Sequence, residues 1–419
     1  MKQYFFIKDE PANAISFYHL ACFLIALPFD RFYSELIFIS FVLHTIIHLK
    51  KDRLKLVVCK EVGIVTAVYL AGLVSMVYSF HQKQAVNDIG VQLAILLFPV
   101  LLSVNELDLK KYKLPLLQIF GFTCILAIAY LYLDALLIIR YYHLPWSSLL
   151  SASFMNHNFS SPITMHATYL SMYVAFSICI FLFLYIKESS NSCRMLYAGC
   201  IILLTAALLQ LSTKSVSIAL VAIIFGVFPP FLFDKRRKLF FLIYSVAGLV
   251  IIVFSIWRFD SFRERYISDF KRDLTGYTKR NETADPRIIR WKVAMELIRN
   301  SPVIGYGSGS EVALLKEKYF EKKLYFSYLN QFNAHNEYLS LLIKSGIPGL
   351  VVYLSVLVYS LFVAWRKRDL LFAAFLLLIT ITSVSENILD LNKGVFFYSF
   401  FFTFFLLNNK DIGTPRTAI

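Results

Sequence analysis

Two arginines three residues apart, in Asp285-Pro286-Arg287-Ile288-Ile289-Arg290-Trp291, are the first candidates for chemistry. The spacing predicts a helix near 286–300, with Asp285 as its N-cap, proline at its first position and Ser301-Pro302 and the glycines 305, 307 and 309 beyond its end. On a helical wheel Lys292, Glu296 and Arg299 form a polar side, and both Arg287 and Arg290 fall within the remaining apolar arc. A guanidinium aimed at protein or lipid needs an anion, because an unpaired buried charge is costly. Arg287 also lies in the first turn, where free N–H groups and the helix dipole favour a phosphate. Pairing with Asp269, Asp273 or Glu282, or snorkelling to lipid headgroups, is the alternative. His335, in Asn333-Ala334-His335-Asn336-Glu337-Tyr338, has the chemistry of a general base near neutral pH, although one histidine among eight is as readily an ordinary packed side chain. Lys214, confined to a four-residue turn between apolar runs, either binds phosphate or snorkels. Asp134 and Glu386 are ionisable groups near the ends of apolar runs, which are functional by default expectation. The sequence has no HExxH, GxSxG, Walker loop or paired-acid metal motif, so the expected chemistry uses basic groups and neither a metal nor a cofactor.

These residues must be held by a membrane scaffold. The 419-residue chain is 58% hydrophobic, 16% aromatic and only 16% charged, with mean hydropathy +0.63, which is too apolar for a soluble domain. Apolar segments near 14–28, 33–49, 57–80, 90–104, 116–139, 167–186, 195–211, 216–233, 239–257, 347–365, 370–386 and 394–407 predict an all-α polytopic membrane protein of about twelve transmembrane helices. The first is expected to be a span rather than a cleaved leader, because another follows at once. Lys50 to Lys55, Lys110 to Lys113, Lys187 with Arg194, Lys235 to Lys238 and Arg366 to Arg368 all follow even-numbered segments. The positive-inside rule therefore places both termini in the cytoplasm. Much of the +15 net charge is topology, and no nucleic-acid partner is expected. The six cysteines lack metal or disulfide spacing and are expected to be buried small hydrophobes.

The expected organisation is a bundle of about nine spans over 1–257, an extracytoplasmic catalytic loop over 258–346, and three spans with a cytoplasmic tail over 347–419. The polar stretch 258–335 interrupts short connections, and such a loop is where function concentrates. A second outer loop, 140–166, carries His143, Trp146, His157 and His166 and is expected to frame the same site.

Arg287-Ile-Ile-Arg290-Trp291-Lys-Val-Ala294, Ser301-Pro302-Val-Ile-Gly305-Tyr-Gly307-Ser-Gly309, Ala334-His335-Asn336-Glu337-Tyr338-Leu339 and Gly346-Ile-Pro-Gly349-Leu350 together resemble the O-antigen ligase/polymerase family. Lipopolysaccharide O-antigen ligases, O-antigen polymerases and bacterial protein O-oligosaccharyltransferases belong to it. The close match covers roughly 280–355; His166-Ala-Thr-Tyr169 and Glu386-Asn-Ile-Leu-Asp390 also look like family segments. The resemblance implies an undecaprenyl-pyrophosphate-linked glycan donor, with Arg287 on the pyrophosphate and His335 activating the acceptor hydroxyl. A second family arginine falls on Lys214, which keeps the charge and loses the bidentate fork.

The expectation is thus a metal-independent, inverting glycosyltransferase of the bacterial inner membrane, with lipid A-core as first-choice acceptor. O-antigen polymerase and protein O-oligosaccharyltransferase are the close competitors. The expected site is His335 as catalytic group, Arg287, Lys214 and Arg290 on the donor pyrophosphate, and His166, Asn336 and Glu386 around the pocket; membrane lipids surround the bundle. A polysaccharide flippase or transporter is also basic and polytopic, but such proteins often carry repeats, and the Arg287 to Gly349 pattern has no second copy.

Overall fold

The computed structural model describes residues 7–29, 31–232, 235–275 and 285–410. Every regular element among them is helical, as expected where no water is present to satisfy a free backbone. A helix lies on each of the twelve apolar segments. Among the described residues, eight helices are long and apolar enough to cross a membrane: Lys60–Val77, Gln82–Val104, Lys113–Tyr141, Ala167–Lys187, Asn191–Leu211, Lys214–Leu232, Arg237–Arg258 and Glu337–Arg366. The other four segments form Pro11–Ala26, Arg31–Ile47, Leu370–Thr382 and Asn392–Asn408, of 16, 17, 13 and 17 residues. These are shorter than the eight, the shortest of which has 18 residues, so eight of the expected twelve are of spanning length.

Ala167–Lys187 occupies the centre, buried on nearly every side, as a helix apolar all round should be. Its Phe176 packs against Phe375, Phe397 and Phe401, with ring centroids 5.7, 6.0 and 5.0 Å away in edge-to-face arrangements, a geometry that adds quadrupole attraction to area burial. Arg237–Arg258 is the most apolar span, and none of its window is buried by protein; lipid is its solvent. Cys124, Cys179 and Cys200 are buried, whereas Cys59 and Cys193 are half-buried and Cys22 is exposed. The expectation of six buried cysteines is corrected there, because in a bilayer an apolar side chain gains nothing from facing inward.

A smaller core sits between the ninth and tenth apolar segments. Val293, Ala294, Leu297 and Ile298 of the Arg287–Asn300 helix pack with Leu315 and Tyr319 of Glu311–Glu321, and with Ala334 and Ile343 at the mouth of Glu337–Arg366. The wheel placed Val293, Ala294, Leu297 and Ile298 on the buried face correctly, whereas Met295, which falls in the same arc, is exposed. The cap differs: Pro286 is the N-cap residue with no side-chain cap. Asp285 instead accepts from the Ser327 backbone N–H at 2.8 Å and the Ser327 hydroxyl at 2.7 Å.

This small core is fastened to the bundle at a broken helix. Within Glu337–Arg366, Gly346 has φ +63° and ψ −161°, and Pro348 has no N–H to give the carbonyl of Lys344. The freed carbonyls of Ile343 and Lys344 accept from the N–H groups of Tyr306 and Gly307, both at 2.8 Å, and Ile347 N–H donates to Pro302 at 3.1 Å. A side chain at Gly346 would be strained at that φ and its Cβ would overlap the Val303 carbonyl. Gly346→Ala is therefore expected to destabilise the protein by about 2–5 kcal/mol, read as a lower melting temperature in detergent; an unchanged melting temperature would show that the break is not needed.

Candidate active site

His335 is presented by a short loop whose peptide groups are tied down by other elements. Its own backbone is left-handed, φ +46°, a conformation that costs a non-glycine residue about 1 kcal/mol or more and must be imposed by its surroundings. The indole N–H of Trp291 donates to the Ala334 carbonyl at 3.0 Å, and the Ala334 N–H donates to Glu311 at 2.9 Å. The His335 N–H donates to the Asn333 side chain at 3.0 Å, and the Asn336 N–H to the Asn387 side-chain oxygen at 2.8 Å. Asn336 itself accepts from Leu339 N–H at 3.1 Å as the N-cap of the following helix. That corrects the expectation that Asn336 lines the pocket: its side chain is spent on starting the helix.

A cavity of about 260 Å³ opens beside His335, with His166, Glu386, Asn387, Asp390 and Lys344 among its walls and Gln84 and Asp88 closing it from the Gln82–Val104 helix. Glu386 is nearly buried and its Oε1 lies 3.4 Å from His335 Nδ1. Burial would raise the Glu386 pKa, but His335, His166 and Arg287 outweigh it and hold the carboxyl down at about 2. It is an anion at neutral pH, placed to stabilise an imidazolium. His335 Nδ1 faces it across a charge contact and makes no hydrogen bond among the described residues.

His166 has a different role. Burial brings its pKa down to about 4, and its Nδ1 accepts from Thr168 N–H at 3.3 Å. It is thus a neutral ring carrying its proton on Nε2. Its outer face meets His157, ring centroids 4.3 Å apart. His157 lines a second cavity of about 360 Å³ with Asn156, Asn158, Glu264 and Arg265, so the two histidines are a shared wall. Trp146 and His143 of the same loop are exposed and line neither cavity.

None of the three expected cations, Arg287, Arg290 and Lys214, is among the residues that line either cavity. Arg287, at the first turn of its helix and half-buried, acts electrostatically on both Glu386 and His166. Arg290 is buried, its guanidinium 5.0 Å from the centre of the Phe332 ring. Phe332 in turn meets the His335 ring at 5.5 Å, so Arg290 underpins the histidine loop. Burial lowers the Arg290 pKa, as it must for a cation whose Nε and Nη1 have no hydrogen-bond partner among the described residues. Lys214 is held by Asp273 at 3.0 Å. Burial pushes Asp273 up, and Lys214 and Arg287 bring it below the ordinary carboxylate range. Asp269 is committed to Arg265 and Arg272, at 3.0 and 3.1 Å; Glu282, the other expected partner, lies outside the described residues. Asp134 is half-buried and is not among the residues of either cavity.

His335, His166 and Glu386 are therefore brought to one cavity, with Arg287 acting on it. Sequence reasoning missed Glu311, Lys344 and Asp88, and took Asp390 only as part of a segment. The available signal was Lys344 itself, an ionisable residue ending the run Leu341-Leu342-Ile343, which calls for a partner. No group of three or more potential metal ligands occurs among the described residues.

Comparison with known proteins adds two findings. The family model described as O-Antigen ligase matches residues 198–354, a range that includes Lys214, Arg287, Arg290, Glu311, His335 and Lys344. An uncharacterized protein of Haemophilus influenzae is 24% identical over 209 residues, which are 48% of this chain and 51% of that protein. The chain thus spans about half the length of that curated relative.

Proposed function

Residues 198–354 are an O-antigen ligase family domain, and from that premise we propose that the chain is a glycosyltransferase that moves a glycan from undecaprenyl pyrophosphate to an acceptor hydroxyl at the outer face of the bacterial inner membrane. His335 Nε2 takes the proton of the acceptor hydroxyl, and the hydroxyl oxygen attacks the anomeric carbon. The bond from that carbon to the pyrophosphate oxygen breaks on the opposite face, its electron pair leaves with undecaprenyl pyrophosphate, and the anomeric configuration inverts. The imidazolium is stabilised by Glu386, and the charge gathering on the leaving group by Arg287, with Lys214 and Arg290 adding to the positive field. Asp273 neutralises Lys214 when no donor is bound, and the pyrophosphate takes its place beside Lys214 and Arg287.

The observation that carries this reading is the pairing of His335 with an ionised, nearly buried Glu386 in a cavity on which Arg287 acts. A base with its orienting anion, together with a fixed cation for the leaving group, is what transfer from a pyrophosphate needs. The reaction draws on no metal or cofactor, and no nucleotide sugar is available outside the cytoplasm, so the donor is lipid-linked. The alternation of basic loops supports an outward-facing site and cytoplasmic termini.

Lipid A-core is the acceptor we favour. Gene deletion, complemented with wild type or His335→Ala, followed by gel analysis of lipopolysaccharide and glycoprotein, tests it. A ligase leaves lipopolysaccharide without any long chains and accumulates lipid-linked glycan. A single-repeat cap would assign a polymerase instead, and loss of glycoprotein staining alone a protein transferase.

A further inference from the structure

Glu311 is 1% exposed, and a carboxylate so deeply buried is tolerable only if every oxygen is satisfied. It is. Oε1 accepts from the Ala334 N–H at 2.9 Å and from Asn387 Nδ2 at 3.2 Å; Oε2 accepts from the Ser340 hydroxyl at 2.5 Å and is ion-paired with Lys344 Nζ at 3.2 Å. Lys344 is shared with Asp390, 2.7 Å away, and Asp390 accepts from Asn387 Nδ2 at 2.7 Å.

One carboxylate therefore joins three pieces of chain. Ala334 belongs to the loop that carries His335, Ser340 and Lys344 to the helix it opens, and Asn387 directly follows Glu386 in the segment that supplies the anion. The two groups whose separation matters most, His335 and Glu386, stand on different segments 51 positions apart in the chain. They are linked through Glu311 by one hydrogen bond on each side. Asn387 adds a second tie, since its side-chain oxygen accepts from the Asn336 N–H.

We propose that Glu311, charge-balanced by Lys344, is a positioning residue: it fixes His335 in its left-handed backbone conformation and sets its distance to Glu386. The proposal rests on the reading of His335 as the base. Glu311 belongs to the cavity wall, but both its oxygens are taken by protein donors, so in this role its loss acts on turnover more than on substrate binding. Misplacing a base by about 1 Å costs on the order of 100-fold in rate.

The single variant Glu311→Met unanchors the Ala334 N–H and leaves Lys344 paired with Asp390, 2.7 Å away. Purified protein in detergent is assayed with an undecaprenyl-pyrophosphate oligosaccharide as donor and lipid A-core as acceptor, beside wild type and His335→Ala. The expected result is a folded protein of lower melting temperature, kcat down about 30- to 100-fold, and KM for the donor within about threefold of wild type. Wild-type kcat in Glu311→Met overturns the proposal, as does a parallel change in KM and kcat. If Glu311→Met is unfolded, Ser340→Ala and Asn387→Ala are assayed in its place, and wild-type kcat in both overturns it. Full activity in His335→Ala would instead refute the underlying reading, whatever Glu311→Met does.

Discussion

Replacing His335 with alanine is expected to lower the rate of glycan transfer by about 10²–10⁴-fold, the usual contribution of a positioned general base, while the lipid-linked donor still binds. The size of the effect follows from how much structure serves this side chain. The Ala334 and Asn336 peptides on either side of it are bonded to Trp291, Glu311 and Asn387, and Glu386 waits 3.4 Å from Nδ1. Such a contact tightens once the imidazole accepts a proton and the pair becomes ionic. Single-turnover measurement of glycan transfer with bound donor reads the effect directly; a loss below about threefold would remove His335 from the chemistry.

Glu386 gives this pair a pH signature. Its folded pKa is depressed, from an ordinary 4.5 to about 2. A depressed carboxyl contributes stability that is complete above the ordinary carboxylate range and lost as the pH falls from about 4.5 toward about 2. Across the neutral range Glu386 stays charged. Glu386→Gln removes the anion that favours imidazolium. The transfer rate should then fall about 10- to 100-fold; an unchanged rate would mean that Glu386 does not serve the working base.

The second large effect is expected at Arg287. Arg287→Ala should cost about 10²–10³-fold in turnover, as loss of one charge-stabilising donor does, and should also weaken donor binding, since the pyrophosphate is charged before and after transfer. Arg287→Lys should recover part of the loss, because the charge remains and the planar fork does not. Donor affinity in detergent and turnover, measured on both variants, check this. Unchanged affinity and turnover in Arg287→Ala would take this residue out of the site.

The sequence was most legible where the information was local. Hydrophobic periodicity located all twelve apolar helices, because each depends only on its own run of residues. It did not fix their lengths: Pro11–Ala26 and Leu370–Thr382 have 16 and 13 residues, because where a helix ends depends on the turns that follow the apolar run. The wheel put Arg290 on the buried face correctly, yet could not supply its neighbour Phe332, 42 residues onward. The same limit hid the pairing of Lys214 with Asp273 and the binding of Glu311 to Ala334, Ser340 and Asn387. These partners are brought together by the packing of segments far apart in the chain, and pairing across that distance leaves no periodic trace. The cap at Asp285 failed for a related reason: Ser327, far along the chain, competes for its carboxylate.

The most direct test of the mechanism is to follow both products in one reaction. Purified protein is given a labelled undecaprenyl-pyrophosphate oligosaccharide and lipid A-core, without nucleotide sugar or added metal, and free undecaprenyl pyrophosphate and glycosylated acceptor are counted over time. Wild-type protein should release the two in equal amounts, with the new glycosidic bond inverted relative to the donor, and His335→Ala should release neither at a comparable rate. A retained anomeric configuration, or equal product release by His335→Ala, would contradict direct displacement with His335 as the base.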